Sequence, residues 1–328
     1  MVKSLKINGK TFAVGSKTSF QKRVTKSLKG RPDEISFEFS LECTDLEIFE
    51  ELMKCAAGHG LLNLWVRGSR EFMDFSGRSD IVFGSITQCA PSLEYLELEE
   101  LKFNGMYTFG LSCSGFKELN ALHLSSCCFD FSSLNRLDPF RHLPKLGVLM
   151  LSSCSCHISE SDGPDETRCL EISGDRLSVL EIYQPVGFTE INVSATNLTS
   201  FTYKHEIPDH LPATGLSLNG QSLGMADIEL LGYKRLVGDE QRKRWAELYA
   251  NLFHGLRNAS SLDFKFDTAM VLWDACNVMG DLSWPFLKLE SLTLHHEDEE
   301  DIPGMGYFFG NYEYSLFYGR KVILIARR

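Results

Sequence analysis

The sequence predicts an α/β solenoid, with a curved parallel sheet on its concave side and helices and irregular segments outside. Three observations predict it. First, the phrase L-x-x-L-x-L returns seven times in 328 residues: Leu61/Leu64/Val66, Leu93/Leu96/Leu98, Leu119/Leu122/Leu124, Leu146/Leu149/Leu151, Leu177/Leu180/Ile182, Leu198/Phe201/Tyr203 and Leu289/Leu292/Leu294. Second, the first anchors through Leu198 are spaced by 32, 26, 27, 31 and 21 residues, which bracket the period of a leucine-rich repeat, about 20–29 residues. Third, two phrases extend to L-x-x-L-x-L-x-x-C, at Cys127 and Cys154. Weaker matches start at Ala213, with Leu216 and Leu218, and at Ala259, with Leu262 and Phe264.

The pattern has a physical reason. Strand side chains alternate between faces, so each L-x-L turns two apolar groups to one side. The first leucine sits upstream and closes the turn. One such unit cannot bury its own apolar face, whereas stacked units share a continuous core.

The remaining elements follow along the chain. Residues 1–32 form a basic, partly helical lead-in, with Phe20, Val24 and Leu28 at helical spacing. Thr44 and Glu47 make a capping box that opens a helix through about Ala57, stopped by Gly58. A short helix is expected over 81–89, and an exposed loop over 155–168. A longer helix runs from about Asp239 to Phe253, with Trp245, Leu248, Tyr249 and Leu252 on one face. Another is expected over 268–280. No linker divides the span 33–305, the repeat domain. Residues 306–328 are an atypical C-terminal segment that does not continue the repeat.

Composition and charge exclude several classes. Apolar residues make up 43% and the net charge is −11, the balance of a folded chain rather than a disordered one. Residues 1–32 carry nine Lys/Arg and no acid, so the rest carries −20. An acidic body argues against nucleic acid, whose binding depends on cancelling phosphate charge. The apolar runs fall short of the roughly 20 residues of a membrane helix, so no membrane is expected. The start has lysines but no apolar core of a secretory signal. The expected location is therefore the cytoplasm and/or nucleus, with the ten cysteines reduced.

Candidate chemistry gives way to structural roles. Cys154-x-Cys156-His157 near Cys127-Cys128 lacks the paired spacing of a zinc site. Cys127 and Cys154 fit instead as small, buried side chains at the strand-to-loop bend. His295 and His296 are adjacent on a strand and face opposite ways, so they do not chelate one ion. The sequence holds no phosphate-loop, dinucleotide, nucleophile-elbow or H-E-x-x-H motif. Arg242, Lys243 and Arg244 are expected on exposed helix surface. No catalytic residue, metal or cofactor is predicted, and the chain is not expected to be an enzyme.

The expected functional surface lies between the anchors, where side chains point away from the core. Its middle is apolar where solvent is expected, at Val148, Met150 and Val179. Around these lie Glu97, Glu99 and Glu181, with Tyr95 and Tyr183, and then His123 and Lys204. An apolar centre with an aromatic and charged rim has the composition of a protein-binding patch. These ten residues are the candidate partner-binding set, and a basic and apolar protein segment is the expected ligand. The alternative is that loops of the same chain cover the patch.

Three stretches carry a resemblance to a known family. They are the lead-in SFQKRVTKSLKGRPDEISFEFSLECTDLEIFEELMKCAAGHGLLNLWV, the phrase ITQCAPSLEYLELEELKF and the later LFHGLRNASSLDFKF. Over roughly residues 18–305 the chain resembles the repeat part of a plant F-box/leucine-rich-repeat protein. The resemblance implies recognition of a protein substrate for a cullin-based (SCF) ubiquitin ligase, whose F-box grips a Skp-type adaptor. The stretch before residue 18 is too short for an F-box and has no Leu-Pro-Asp-Glu motif. Adaptor and cullin are therefore expected as partners only if an F-box is supplied. The other expectation is a free-standing leucine-rich scaffold or decoy isoform with no ligase link.

Overall fold

The fold is taken from a computed structural model that describes residues 3–8, 35–40, 46–57, 60–68, 78–104, 115–131, 135–157, 167–207, 214–219, 223–236, 238–268, 270–279, 288–296, 312–318 and 321–326. The expected helix around Phe20, Val24 and Leu28 lies outside these residues. So does the acidic run Glu297, Asp298, Glu299, Glu300 and Asp301, which the sequence marks as a solvated loop. The chain divides into two compact units, Met1–Glu166 and Thr167–Arg328.

Unit 1 contains strands β1 (Lys3–Asn8) and β2 (Ile35–Ser40), helix α1 (Leu46–Ala57), β3 (Leu61–Arg67) and helix α2 (Arg78–Cys89). There follow β4 (Tyr95–Glu99), β5 (Lys102–Asn104), β6 (Ala121–Ser125), β7 (Cys128–Asp130), β8 (Arg136–Leu137), β9 (Val148–Ser152) and β10 (Ser155–Cys156). Strands β1, β2, β3, β4, β6 and β9 form one parallel ladder in that order. A second, short parallel ladder runs β5, β7, β10.

The leucine-rich phrase explains both ladders. Leu96, Leu122 and Leu149 align in register, as do Leu98, Leu124 and Leu151, and all six are buried. Each buried leucine contributes roughly 1.5–3 kcal/mol. The first anchors close identical turns, Leu93 N–H to Ala90 O at 3.1 Å and Leu146 N–H to Leu143 O at 3.2 Å. After each strand one residue takes a left-handed conformation, Glu100 at φ 55°, Ser126 at 51° and Ser153 at 51°. That bend costs a non-glycine residue roughly 1–2 kcal/mol, and it redirects the chain into the second ladder. Leu101, Cys127 and Cys154 follow the bend and are buried. The Cys127 thiol donates to Leu98 O at 3.3 Å and Cys154 to Leu124 O at 3.4 Å, the structural role their spacing predicts. Phe103 and Phe129 lie in register on the second ladder with centroids 5.9 Å apart, and Phe83 of α2 meets Phe103 edge-on at 6.1 Å.

Unit 2 contains β11 (Cys169–Ser173), β12 (Val179–Tyr183), β13 (Glu190–Ser194), β14 (Ser200–Glu206), β15 (Gly215–Leu218) and β16 (Met225–Leu231). After a 3-10 turn come helix α3 (Asp239–Leu256), β17 (Ser261–Phe266), helix α4 (Met270–Met279), β18 (Ser291–His296), β19 (Tyr312–Tyr318) and β20 (Lys321–Ala326). Strands β12, β14, β16, β17 and β18 are parallel neighbours. β20 then joins β18 antiparallel, and β19 joins β20 antiparallel. β11, β13 and β15 form a second parallel ladder. The buried face of α3 includes Trp245, Tyr249, Leu252 and Phe253; Trp245 lies 5.6 Å from the His205 ring and Phe253 meets Phe264 at 5.6 Å.

Three details differ from the sequence expectation. The weak match at Ala213 does not supply a strand of the principal ladder: Leu216 and Leu218 sit on β15, paired with β13. The strand in that place is β16, anchored by Leu223, Ala226 and Ile228, all buried. Its turn confirms the assignment, since Gly224 N–H bonds Thr199 O at 3.0 Å just as Thr199 N–H bonds Ser178 O at 2.9 Å. The stretch from Ser155 is not all loop, because Ser155 and Cys156 pair with Cys128 and Phe129. Outside the principal ladders, each unit carries a second short ladder as well as helices. The result is an α/β repeat fold, built mostly of parallel strands with few helices.

Candidate functional site

Register places the candidate residues in rows, and each unit carries its own. In unit 1 the first row is Asn63, Tyr95, Ala121 and Val148, the second Trp65, Glu97, His123 and Met150, and the third Arg67, Glu99, Ser125 and Ser152. Along β4, β6 and β9 burial alternates strictly, with row residues half-buried and anchors buried. Tyr95, Glu97, Glu99, His123, Val148 and Met150 therefore share one face, as predicted from the alternation. Sequence reasoning left out Trp65 and Arg67, although both stand at the x positions around the Leu64/Val66 anchors.

The centre of this face is a hydrogen-bonded aromatic cluster. The Tyr95 hydroxyl donates to Glu97 Oε2 at 2.6 Å and lies 2.9 Å from His123 Nδ1. Tyr95 has one proton to give and Glu97 takes it, so His123 Nδ1 must be the donor in the second bond. The Trp65 ring lies 5.2 Å from Tyr95 at 46°, and the His123 ring 5.0 Å away at 72°. Burial, then the Glu97 hydrogen bond, push the Tyr95 hydroxyl above the usual phenol range, while a hydrogen bond with Trp65 opposes the rise. At the edge, Arg67 reaches Glu99 at 3.5 Å and Glu100 at 3.3 Å.

In unit 2 the rows are Val179, Ser200, Met225, Ser261, Ser291; then Glu181, Thr202, Asp227, Asp263, Thr293; then Tyr183, Lys204, Glu229, Lys265, His295. Val179, Glu181, Tyr183 and Lys204 thus share a face. The Tyr183 hydroxyl donates to Glu181 Oε2 at 2.6 Å, the same device as Tyr95–Glu97 with the order reversed. The missed strand adds Met225, 52% exposed, with Asp227 and Glu229.

Charge on the unit 2 face is largely answered internally. Lys204 Nζ lies 3.1 Å from Asp227 and 3.8 Å from Glu229, Lys265 lies 2.8 Å from Glu229, and His295 Nε2 lies 3.1 Å from Asp263. Burial works against the Lys204 charge, but the bonds to Asp227 and Glu229 outweigh it and hold the ammonium above its usual range. Lys204 is therefore a tied member of the surface rather than a free cation. Among the described residues, Glu97 and Glu181 are the row carboxylates of their faces that accept a tyrosine proton and have no cation within ion-pairing reach.

Cys127 and Cys154 stay out of this surface. Burial pushes the Cys154 thiol up to about 12 and the Cys127 thiol well above its ordinary value, so both are unreactive at neutral pH. Among the described residues no group of three or more His, Cys, Asp or Glu is placed to hold a metal ion. Among them, too, no helix is long and apolar enough to cross a membrane. Lys243 and Arg244 of α3 are exposed, while Arg242 Nε donates to Leu236 O at 3.1 Å.

Comparison with known proteins adds little. No family model matches the chain, and no curated protein matches it. Among solved structures, the leucine-rich repeat domain of APL1B is similar at 13% identity over 85% of this chain and 90% of that one, with a TM-score of 0.24. A likeness at that level carries no weight, and the repeat reading rests on the internal register described above.

Proposed function

We propose that the chain is a non-catalytic protein-recognition module, a curved leucine-rich solenoid that holds a protein segment on its strand-row face. The supporting observation is the composition of that face. In unit 1 half-buried Val148 and Met150 share a face with Tyr95 and Glu97, two strands away, and Trp65, three strands away, and in unit 2 Val179 lies on the same face of its strand as Glu181 and Tyr183. Apolar and aromatic side chains among charged ones, on a rigid parallel ladder, match the core and rim of a protein interface. Affinity capture from extract of the source tissue tests it. Alanine at Tyr95, Met150 or Tyr183 should lower capture of the bound protein by roughly tenfold with unchanged circular dichroism. Unchanged capture by all three variants would contradict the proposal.

The finer proposal is that this module is the substrate-binding part of an SCF-type ubiquitin-ligase receptor in the cytoplasm and/or nucleus, joined to a Skp-type adaptor and cullin through a supplied F-box. Its support is the sequence resemblance over residues 18–305. A pull-down against a Skp-type adaptor, with an F-box-containing relative as positive control, separates the readings. Binding supports the ligase link. A positive control with no binding by this chain supports the free-standing scaffold or decoy.

A further inference from the structure

The second row of unit 1 holds one carboxylate in an aromatic setting. Glu97 Oε2 receives the Tyr95 proton, which leaves Oε1 to accept from elsewhere. Glu99 and Glu100 are answered by Arg67, whereas Glu97 has no cation within reach among the described residues. The Tyr95 hydroxyl gives its one proton to Glu97 and also meets His123 Nδ1. It has no proton to offer a ligand, so its remaining contribution is the ring face. Trp65 and His123 fix that ring from the two neighbouring strands.

We propose that Trp65, Tyr95 and Glu97 form a seat for one arginine side chain of a protein partner. This deepens the protein-recognition reading and rests on it. A planar guanidinium suits the seat because it can stack on an aromatic face while its edge donates to a carboxylate. Lysine offers only a compact point charge, and so fits less well. His123 is a positioning residue here, holding Tyr95 through Nδ1. Val148 and Met150, on the same face one strand beyond His123, provide apolar contact for residues flanking the arginine. The net charge of −11 favours the approach of a cationic segment.

The test uses the full chain with its tryptophan indoles labelled with nitrogen-15. Four signals are expected, and Trp65→Phe identifies that of Trp65. The probe is the blocked tripeptide Val-Arg-Val, compared with the same peptide carrying citrulline, the neutral isostere of arginine, and with Val-Lys-Val. The Trp65 signal should move saturably with the arginine peptide, with half-saturation at about a few millimolar, as befits one cation–π contact and one ion pair. The lysine peptide should bind more weakly, the citrulline peptide should leave the signal in place, and Glu97→Gln should weaken the arginine response at least about fivefold. No movement up to about 10 mM, equal movement with citrulline, or an unaltered response in Glu97→Gln would overturn the seat. Partner capture distinguishes the two levels. Capture that tolerates Glu97→Gln but not Tyr183→Ala refutes the arginine seat and keeps protein recognition. Capture that tolerates Glu97→Gln and also alanine at Tyr95, Met150 and Tyr183 refutes protein recognition by these rows.

Discussion

His205 shows how single side chains set the conditions under which this fold holds. It is buried, with neither ring nitrogen hydrogen-bonded among the described residues, and it sits between the Tyr203 ring at 5.9 Å and the Trp245 ring at 5.6 Å. Burial lowers its pKa to about 4, from an ordinary value of 6.5. The unfolded chain therefore binds a proton between those two values that the folded chain does not. This contribution makes stability constant above about pH 6.5, and stability is lost as pH falls toward 4. The loss from this group between pH 7.5 and 5 is about 2 kcal/mol. Urea denaturation at the two pH values should show a drop in wild type that shrinks by about that amount in His205→Phe. An equal drop in both proteins would mean that His205 is solvated. The anchors give a second test at this scale. Leu122→Ala or Leu149→Ala should cost about 2–5 kcal/mol, because both leucines are fully buried. Alanine at the half-buried Val148 should cost less and act on binding instead.

At the scale of elements, the repeat strands were legible because each carries alternating leucines, and the burial pattern of β4, β6, β9 and β12 follows that alternation residue by residue. Strand β16 was hidden by Ala226, which takes the middle anchor without a leucine's signature and yet is completely buried. The second ladder of unit 1 was hidden for a different reason. Lys102–Asn104, Cys128–Asp130 and Ser155–Cys156 are too short to display a period; the left-handed residue before each is what creates them. The four α-helices among the described residues were readable, α1 from its capping box and stop and α3 from its apolar spacing, with ends within three residues of expectation. The candidate face followed from the same alternation, but its internal ion pairs did not, since they depend on which strand lies beside which. Helix α3 carries a prediction of its own. A Cβ at Gly255 would lie 2.6 Å from Leu218 O and 2.7 Å from Leu218 Cβ. Gly255→Ala gains about 1 kcal/mol of helix propensity, but the contact with β15 is with backbone and cannot yield cheaply. The variant should therefore melt lower than wild type; a higher melting temperature would mean that α3 sits farther from β15.

Across the whole molecule, a parallel ladder needs its edges covered, because an open edge pairs with other chains. Residues 312–326 answer this at β18, where β20 adds antiparallel and β19 adds to β20. The segment that breaks the repeat in sequence thus continues the sheet in the opposite direction. Deleting 307–328 should produce soluble oligomers or precipitation by light scattering, whereas an unchanged monomer would deny these strands a capping role. Each unit presents half-buried rows on its own parallel ladder, and these rows are proposed to meet a protein. Site-specific photocrosslinking tests that claim most directly, with a photoreactive residue placed at Met150 or, for comparison, at exposed Glu247 on α3. Protein adducts formed from position 150 and not from position 247 are the predicted result. Adducts formed from position 247 alone, or equally from both, would contradict it.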